Sequence, residues 1–296
     1  SVWDRKWVQE SKWEPNAGDS ISESGSSDIS EAKGQEETKI KRRGGRKILD
    51  LRSLHLTEVP LRVFEEAEKG FEALLLDKNT ISIIPMPIGL MQSLQRLTLT
   101  YNNITEIDGG LGMLANLEEL DISHNPLQRL PADIVHLGRL QTLRIDSTKL
   151  DELPAFLERL VALRRVDARM NKIQGDMPSL TGLRYLSHVD VSHNKITSIS
   201  STDFSTLLSL HTLKVSFNKL ESLPATLSNC TSLCSLSFTH NKVTDLDRDL
   251  VLLENLVELK TESNPLRHPW SVLMKKSLME LKEHLRLEME EESSGK

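Results

Sequence analysis

Cysteine, aromatic residues and long apolar runs are all scarce in this 296-residue chain. The only cysteines, Cys230 and Cys234, lie four positions apart. They are too few for the disulfide frameworks with which secreted modules staple their ends, so a reducing setting, cytoplasmic or nuclear, is expected. Two N-glycosylation patterns, Asn103-Ile-Thr and Asn229-Cys-Thr, point the other way, but a three-residue pattern this loose arises by chance in most chains of such length. No stretch approaches the roughly 18 consecutive apolar residues of a membrane-spanning helix. The opening SVWDRKWVQESKWEP also lacks the apolar run of a secretory signal, and a start at Ser1 leaves a preceding segment open. Charge of neither sign dominates. The 37 basic and 43 acidic side chains give a net charge of -6, with both signs dispersed, which offers nucleic acid no basic face. An apolar fraction of 38% is still enough for a packed core.

What the chain has in abundance is a repeat of about 23 residues, and such a period decides the architecture before any local element does. Aligned on L-x-x-L-x-L-x-x-N-x-L, the units run from Phe71-Leu74-Leu76-Asn79-Ile81 through Leu117-Leu120-Ile122-Asn125-Leu127 to Leu256-Leu259-Thr261-Asn264-Leu266. The ladder position holds Asn79, Asn102, Asn125, Thr148, Asn171, Asn194, Asn218, Asn241 and Asn264; an irregular first unit, Leu49-Leu51-Leu54-Leu56, brings the expected count to ten. Each unit predicts a short strand with its leucines turned inward, since successive strand side chains face opposite sides. The ladder Asn is read as structural, its amide bonded to backbone of its own and neighbouring turns. Return segments such as Leu130-Pro131-Ile134-Leu137 and Leu153-Pro154-Leu157-Leu160 carry a spacing of three that suits a short helix or 3₁₀ turn.

On these registers the chain resembles the intracellular leucine-rich-repeat proteins built of 23-residue L-P-x-x-I/L units, among them the Ras-group scaffolds, over about residues 46–289. The resemblance implies an α/β leucine-rich-repeat solenoid. Its curved parallel sheet would line the concave side, with short helices and 3₁₀ turns on the convex side and a capping helix at the C-terminus. It also implies a non-catalytic scaffold or adaptor, without cofactor or metal, acting as a monomer. The partner it implies is a signalling protein such as a small GTPase or a phosphatase. Extracellular members are expected to carry cysteine-rich caps, which this sequence lacks. Two other readings stay open: a secreted or ectodomain recognition module, and the targeting arm of an enzyme whose catalytic domain precedes Ser1.

The ends read differently from the middle. Residues 267–289 place Met274, Leu278, Leu281 and Leu285 on one helical face, a stripe suited to covering the last repeat, and the tail from 290 to 296 begins with Glu290, Glu291 and Glu292, which oppose the helix dipole and predict fraying. Residues 1–45 show no comparable cap. Their Ser-, Gly- and acid-rich stretch predicts disorder, with Ser20 to Ser30 as candidate phosphorylation sites, and Lys39 to Lys47 is a basic run that suits a nuclear address, an acidic contact or plain solvated charge. Trp3, Trp7 and Trp13 are three of the chain's four tryptophans; they suit either a docking motif or an element that folds back on the first repeat.

The solvent-facing strand positions form the concave wall, the usual binding surface of a solenoid. One column holds Asp121, Arg144, Asp167 and Asp190, the next holds Ser123, Asp146 and Arg169, and a third holds Tyr101, His124, Met170, His193, Phe217 and His240. Cross-strand pairs are expected between Arg144 and Asp167 and between Asp146 and Arg169. The plain reading is a self-neutralised surface. The functional one is a recognition patch made of Tyr101, Asp121, His124, Arg144, Asp146, Asp167, Arg169, Asp190, His193 and Phe217, because large side chains beside charges are the composition of interface hot spots. His124, His193 and His240 are three and two repeats apart, roughly 14 and 10 Å at ~4.8 Å per strand, too far to share a metal. Cys230 falls in a convex segment with no evident base, so no thiol nucleophile is expected. Two departures from the consensus mark the same region: Thr148 in place of the ladder Asn, and Ile173-Gln174-Gly175-Asp176-Met177-Pro178, which resembles a plant-type G-x-I-P segment and predicts a local change of curvature.

Overall fold

A computed structural model describes residues 39–43 and 46–293, with side chains described over 47–292. The tryptophans at 3, 7 and 13 and the serines at 20 to 30 lie outside the described residues. The strands in chain order are β1 (Lys39–Arg43), β2 (Arg46–Asp50), β3 (Ala73–Leu75), β4 (Ile83–Ile84), β5 (Arg96–Thr98), β6 (Glu106–Ile107), β7 (Glu119–Asp121), β8 (Thr142–Arg144), β9 (Arg165–Asp167), β10 (Gln174–Asp176), β11 (His188–Asp190), β12 (Lys195–Ser198), β13 (Thr212–Lys214), β14 (Ser235–Ser237) and β15 (Glu258–Lys260). The α-helices among the described residues are α1 (Leu61–Glu65), α2 (Arg248–Val251), α3 (Trp270–Leu273) and α4 (Leu278–Ser293).

The long sheet runs β1-β2-β3-β5-β7-β8-β9-β11-β13-β14-β15, parallel from β2 onward, so each repeat contributes one strand. The register is fixed because alternate residues face the core: Leu49, Leu74, Leu97, Leu120, Leu143, Leu213 and Leu236 are fully buried, and a slip of one residue would turn that whole set to water. The return segments fold as predicted into 3₁₀ turns, for example Ala132–His136 after Pro131 and Ala155–Arg159 after Pro154, in each case with the proline just ahead of the first turn, where its missing N–H costs nothing.

The Asn ladder forms in detail. Asn125 donates from Nδ2 to the carbonyls of Ile122 in its own turn (2.8 Å) and Leu99 in the preceding one (2.9 Å), while its Oδ1 accepts the Ile104 N–H (2.9 Å). Asn102, Asn194, Asn218 and Asn241 repeat the pattern. Thr148 supplies less: its hydroxyl bonds the Ile145 carbonyl (3.1 Å) and the Asn171 amide oxygen, and it is too short to reach the preceding turn.

Most units repeat every 23 residues, but Leu186 to Leu210 spans 24. The extra residue is absorbed on the return side, where β10 pairs in parallel with β12 and the register slips between Gly175 and Asp176, opposite Ile196 and Ser198. The departure at Ile173–Pro178 is therefore a second small sheet, as is the β4–β6 pair earlier in the chain, while the concave register continues unbroken from β9 through β11 to β13.

Both ends differ from expectation. The basic run is not part of a disordered segment: Lys39–Arg43 is a strand antiparallel to β2, with Lys39 opposite Asp50 and Arg43 opposite Arg46. It closes the backbone edge that β2 would otherwise leave open. The two residues between the paired arginines are Gly44-Gly45, the kind of pair that two-residue hairpins favour. At the other end the expected single cap is two helices. Trp270, Leu273, Leu281 and Leu285 are buried, and Met274 and Leu278 pack against the same core. Ser277 opens α4 by a capping box: its N–H (2.9 Å) and hydroxyl (2.8 Å) both reach Glu280 Oε2. The helix extends past residue 289, the expected end of the cap. It runs to Ser293, with Arg248 of α2 bonded to Glu292 (3.1 Å) and close to Glu288 (3.8 Å). Lys282 donates to the carbonyls of Leu253 (2.6 Å) and Leu256 (2.8 Å) in the last return turn.

Thr148→Asn should restore the missing rung, its Oδ1 accepting from Leu127, and raise stability in urea unfolding by about 1 kcal/mol, the net worth of an added buried hydrogen bond; an unchanged or lower midpoint would mean that the site has no room for the amide.

Candidate functional site

The three predicted columns are realised in register. Asp121 pairs across to Arg144, Arg144 to Asp167, Asp167 to Asp190, and Asp190 to Lys214. The second column continues the ladder by backbone bonds: His124 N–H to the Asp146 carbonyl, Ser147 to Arg169, Met170 to Ser192. Of the predicted residues, Asp121 and Asp146 are buried, Arg144, Asp167 and Asp190 are half-buried, and Tyr101, His124, Arg169, His193 and Phe217 are exposed.

Of the two expected pairs, Asp146–Arg169 is formed, and the aspartates have further basic neighbours. Arg144 reaches back to Asp121 (3.6 Å), while Arg169 approaches Asp167 (3.6 Å) on its own strand as well as Asp146 (4.0 Å) on the preceding one. Residues two apart on a strand share a face, so Arg169 reaches Asp167 from within its own unit.

The aspartates also have a structural task that the sequence did not reveal. Asp121 accepts from the Ser123 N–H (3.0 Å), Asp167 from Arg169 (3.3 Å) and Asp190 from Ser192 (3.0 Å), so each satisfies a backbone donor two residues past its position. Asp146 takes the hydroxyls of Ser123 (2.7 Å) and Ser147 (3.3 Å), and Asp77 those of Thr98 (2.7 Å) and Thr100 (2.9 Å). Burial pushes the Asp121 carboxyl above the usual range despite these donors and Arg144. Burial likewise raises the Asp167 carboxyl, to about 6; Arg169 opposes the rise and the like charges of Asp146 and Asp190 add to it.

The third column holds two features that sequence reasoning missed. Its members adopt left-handed backbone, with φ of 54° at Tyr101, 57° at His124, 56° at Met170, 57° at His193, 55° at Phe217 and 54° at His240. This conformation is unusual for residues other than Gly, Asn or Asp. Their rings also stack: Tyr101 on His124 (centroids 4.1 Å), His193 on Phe217 (4.2 Å) and Phe217 on His240 (4.0 Å). The column is thus a ladder of rings along one rim of the concave wall, with Tyr101 54%, Met170 57% and Phe217 41% exposed. The sequence signal was the recurrence of large side chains immediately before the ladder Asn.

Among the described residues no group of His, Cys, Asp and Glu is arranged to hold a metal, and no helix is long and apolar enough to cross a membrane. Cys230 is buried and its thiol is pushed up to about 12, chiefly by burial and further by Asp203, which leaves it an inert core residue.

Residues 86–196 match the model of a leucine-rich repeat region. The fold is a leucine-rich-repeat solenoid. A leucine-rich-repeat protein of Leptospira interrogans superposes with a TM-score of 0.72 at 30% identity, covering 79% of this chain and 58% of that one. The leucine-rich-repeat ectodomain of the membrane receptor kinase GASSHO1/SCHENGEN3 from Arabidopsis thaliana, solved in complex with Casparian strip integrity factor 2, superposes with a TM-score of 0.64 at 26% identity, over 73% of this chain and 27% of that one. Bovine (Bos taurus) osteomodulin is 32% identical over 83 residues, 28% of this chain and 19% of its own length. The solenoid thus spans well under two thirds of each of these relatives.

Because the folded Asp167 carboxyl titrates near 6 and an unfolded one near 3.9, its protonated form is favoured by folding; that stability is present below about pH 4 and is lost as pH rises through 6. Asp167→Asn should therefore raise stability by about 1–2 kcal/mol at pH 7 and by almost nothing at pH 4, as read by urea unfolding at both values; an equal gain at both would assign the effect to packing and not to charge.

Proposed function

We propose that this leucine-rich-repeat chain is a non-catalytic scaffold or adaptor that binds a protein partner on its concave wall. The observation that carries the reading is the strip of exposed, stacked rings beside a partly buried charge network, across successive strands of one face. Rings beside charges are the composition of interface hot spots. Tyr101, His124, His193 and Phe217 supply contact area on the rim, and Asp121, Arg144, Asp146, Asp167, Arg169 and Asp190 supply the polar code. The burial that raises Asp167 supports the reading, since a charge kept at a cost in stability is more readily understood as serving recognition than folding. The partner is proposed to be a signalling protein, following the Ras-group resemblance, and the setting cytoplasmic, following the two free cysteines.

A cell-lysate pull-down, comparing wild type with an Arg144→Ala, Asp167→Ala, Arg169→Ala variant and read by mass spectrometry, tests this. Proteins lost from the variant while its circular dichroism is unchanged support the concave wall as the binding site; the same proteins retained would move the interaction elsewhere on the molecule.

A second reading, a secreted or ectodomain module, is favoured by one observation: the side chains of Asn103 and Asn229, which head the two glycosylation patterns, are both exposed. Intact-mass measurement of the chain from a eukaryotic secretory host and from native tissue separates the two, the cytoplasmic reading requiring the native protein to be unglycosylated at Asn103.

A further inference from the structure

The ladder of rings is interrupted at one place. Tyr101 and His124 form one stack and His193, Phe217 and His240 another; between them stand Ser147 and Met170. The Ser147 backbone has φ 55°, the same left-handed turn as Tyr101 at 54° and Phe217 at 55°. It is equivalent to the ring-bearing positions yet carries only a hydroxyl. His124 and Met170, on either side, are two strand spacings apart, about 10 Å. That leaves room for a single planar group, given that rings elsewhere on the ladder stack at 4.0 to 4.2 Å. What leans over the place is the Met170 thioether, its sulfur 3.8 Å from Ser147 Oγ; this unbranched side chain is 57% exposed and can swing aside.

The floor beneath the place is acidic. Asp146 Oδ2 accepts the Ser147 hydroxyl (3.3 Å), with His124 Nε2 at 3.6 Å and Arg169 Nε at 4.0 Å. Along the wall Asp121 faces Arg144, Asp190 is in register with Lys214, and Asp146 and Asp167 share Arg169. The shared cation is the one nearest the interruption. An occupant that fills the stack and pairs with the carboxylate beneath it must be flat, thin and cationic. A lysine ammonium has the charge without the plane, and an aromatic ring has the plane without the charge. A guanidinium has both, and it offers a carboxylate two parallel donors.

We propose that the place over Ser147 receives an arginine side chain of the protein partner, its guanidinium stacked on the His124 ring and hydrogen-bonded to Asp146. This rests on the reading of the concave wall as a binding surface and names the group that the wall recognises.

The test uses the full chain, with N-acetyl-arginine amide, N-acetyl-lysine amide and N-acetyl-tyrosine amide as probes and the His124 ring and Met170 methyl NMR signals as readouts. The arginine amide should shift both signals saturably, and the other two should shift them several-fold less. Ser147→Phe places a ring on the backbone conformation that Phe217 already adopts, so it should fold normally and lose the response. Asp146→Asn, which keeps the shape and removes the charge, should weaken the arginine response several-fold and leave the tyrosine one unchanged. An equal or stronger response to the tyrosine amide, an arginine response that survives Ser147→Phe, or no response in wild type would overturn the proposal. Carrying Ser147→Phe through the pull-down separates this failure from that of the broader reading: proteins lost from the triple variant but kept by Ser147→Phe sink the arginine site alone, and proteins kept by both sink the concave wall as well.

Discussion

Everything in this solenoid depends on satisfying the backbone where each strand turns away from the sheet. The turn is buried, its carbonyls and N–H groups have no water, and a buried polar group left unpaired costs about 1–3 kcal/mol. One Asn amide meets that need by linking its own turn to the preceding one, except where Thr148 takes its place. The turn has a geometric consequence: the residue just before the ladder position, Ser147 ahead of Thr148 included, adopts left-handed backbone at the concave rim. The ladder of rings thus follows from the turn that each repeat makes. Positions fixed by that turn become, once rings occupy them, stacked neighbours at the strand spacing.

The concave wall shows how little separates structure from recognition here. Its aspartates accept backbone N–H groups at the strand ends, which is a folding task, and several are held in a partly dry environment among like charges, which folding does not require. Arg144 and Arg169 each reach an aspartate on a neighbouring strand. Such a surface is neither the fully solvated face that dispersed charge suggests nor an apolar groove; it is a preorganised polar wall with an aromatic border, and its rigidity comes from the amide ladder behind it.

Closing a solenoid is a separate problem from building one, and the two ends solve it differently. An antiparallel strand covers the backbone edge of the first repeat. Two helices cover the last, one burying Trp270 and the other presenting Lys282 to two carbonyls of the final return turn. Between the ends the one 24-residue unit is tolerated because its extra residue is expelled to the small return-side sheet, where a bulge disturbs no buried register.

The period of leucines, the strand at every unit, the inward side chains and the structural Asn were all legible from the sequence, because one-dimensional repetition makes the contacts of each unit copies of its neighbour's. The columns of the candidate surface followed from the same arithmetic. What only the tertiary structure decided were matters of direction and distance. Arg144 comes within 3.6 Å of Asp121 on the preceding strand, and Arg169 reaches Asp167 along its own strand. The basic run becomes an edge strand because an open sheet edge is there to receive it. Arg248, forty-four residues earlier, lies within reach of Glu292 near the end of the C-terminal helix. Repetition fixes which positions are neighbours; which side chains meet across those positions is a competition among nearby partners, and that is settled only when all of them are in place.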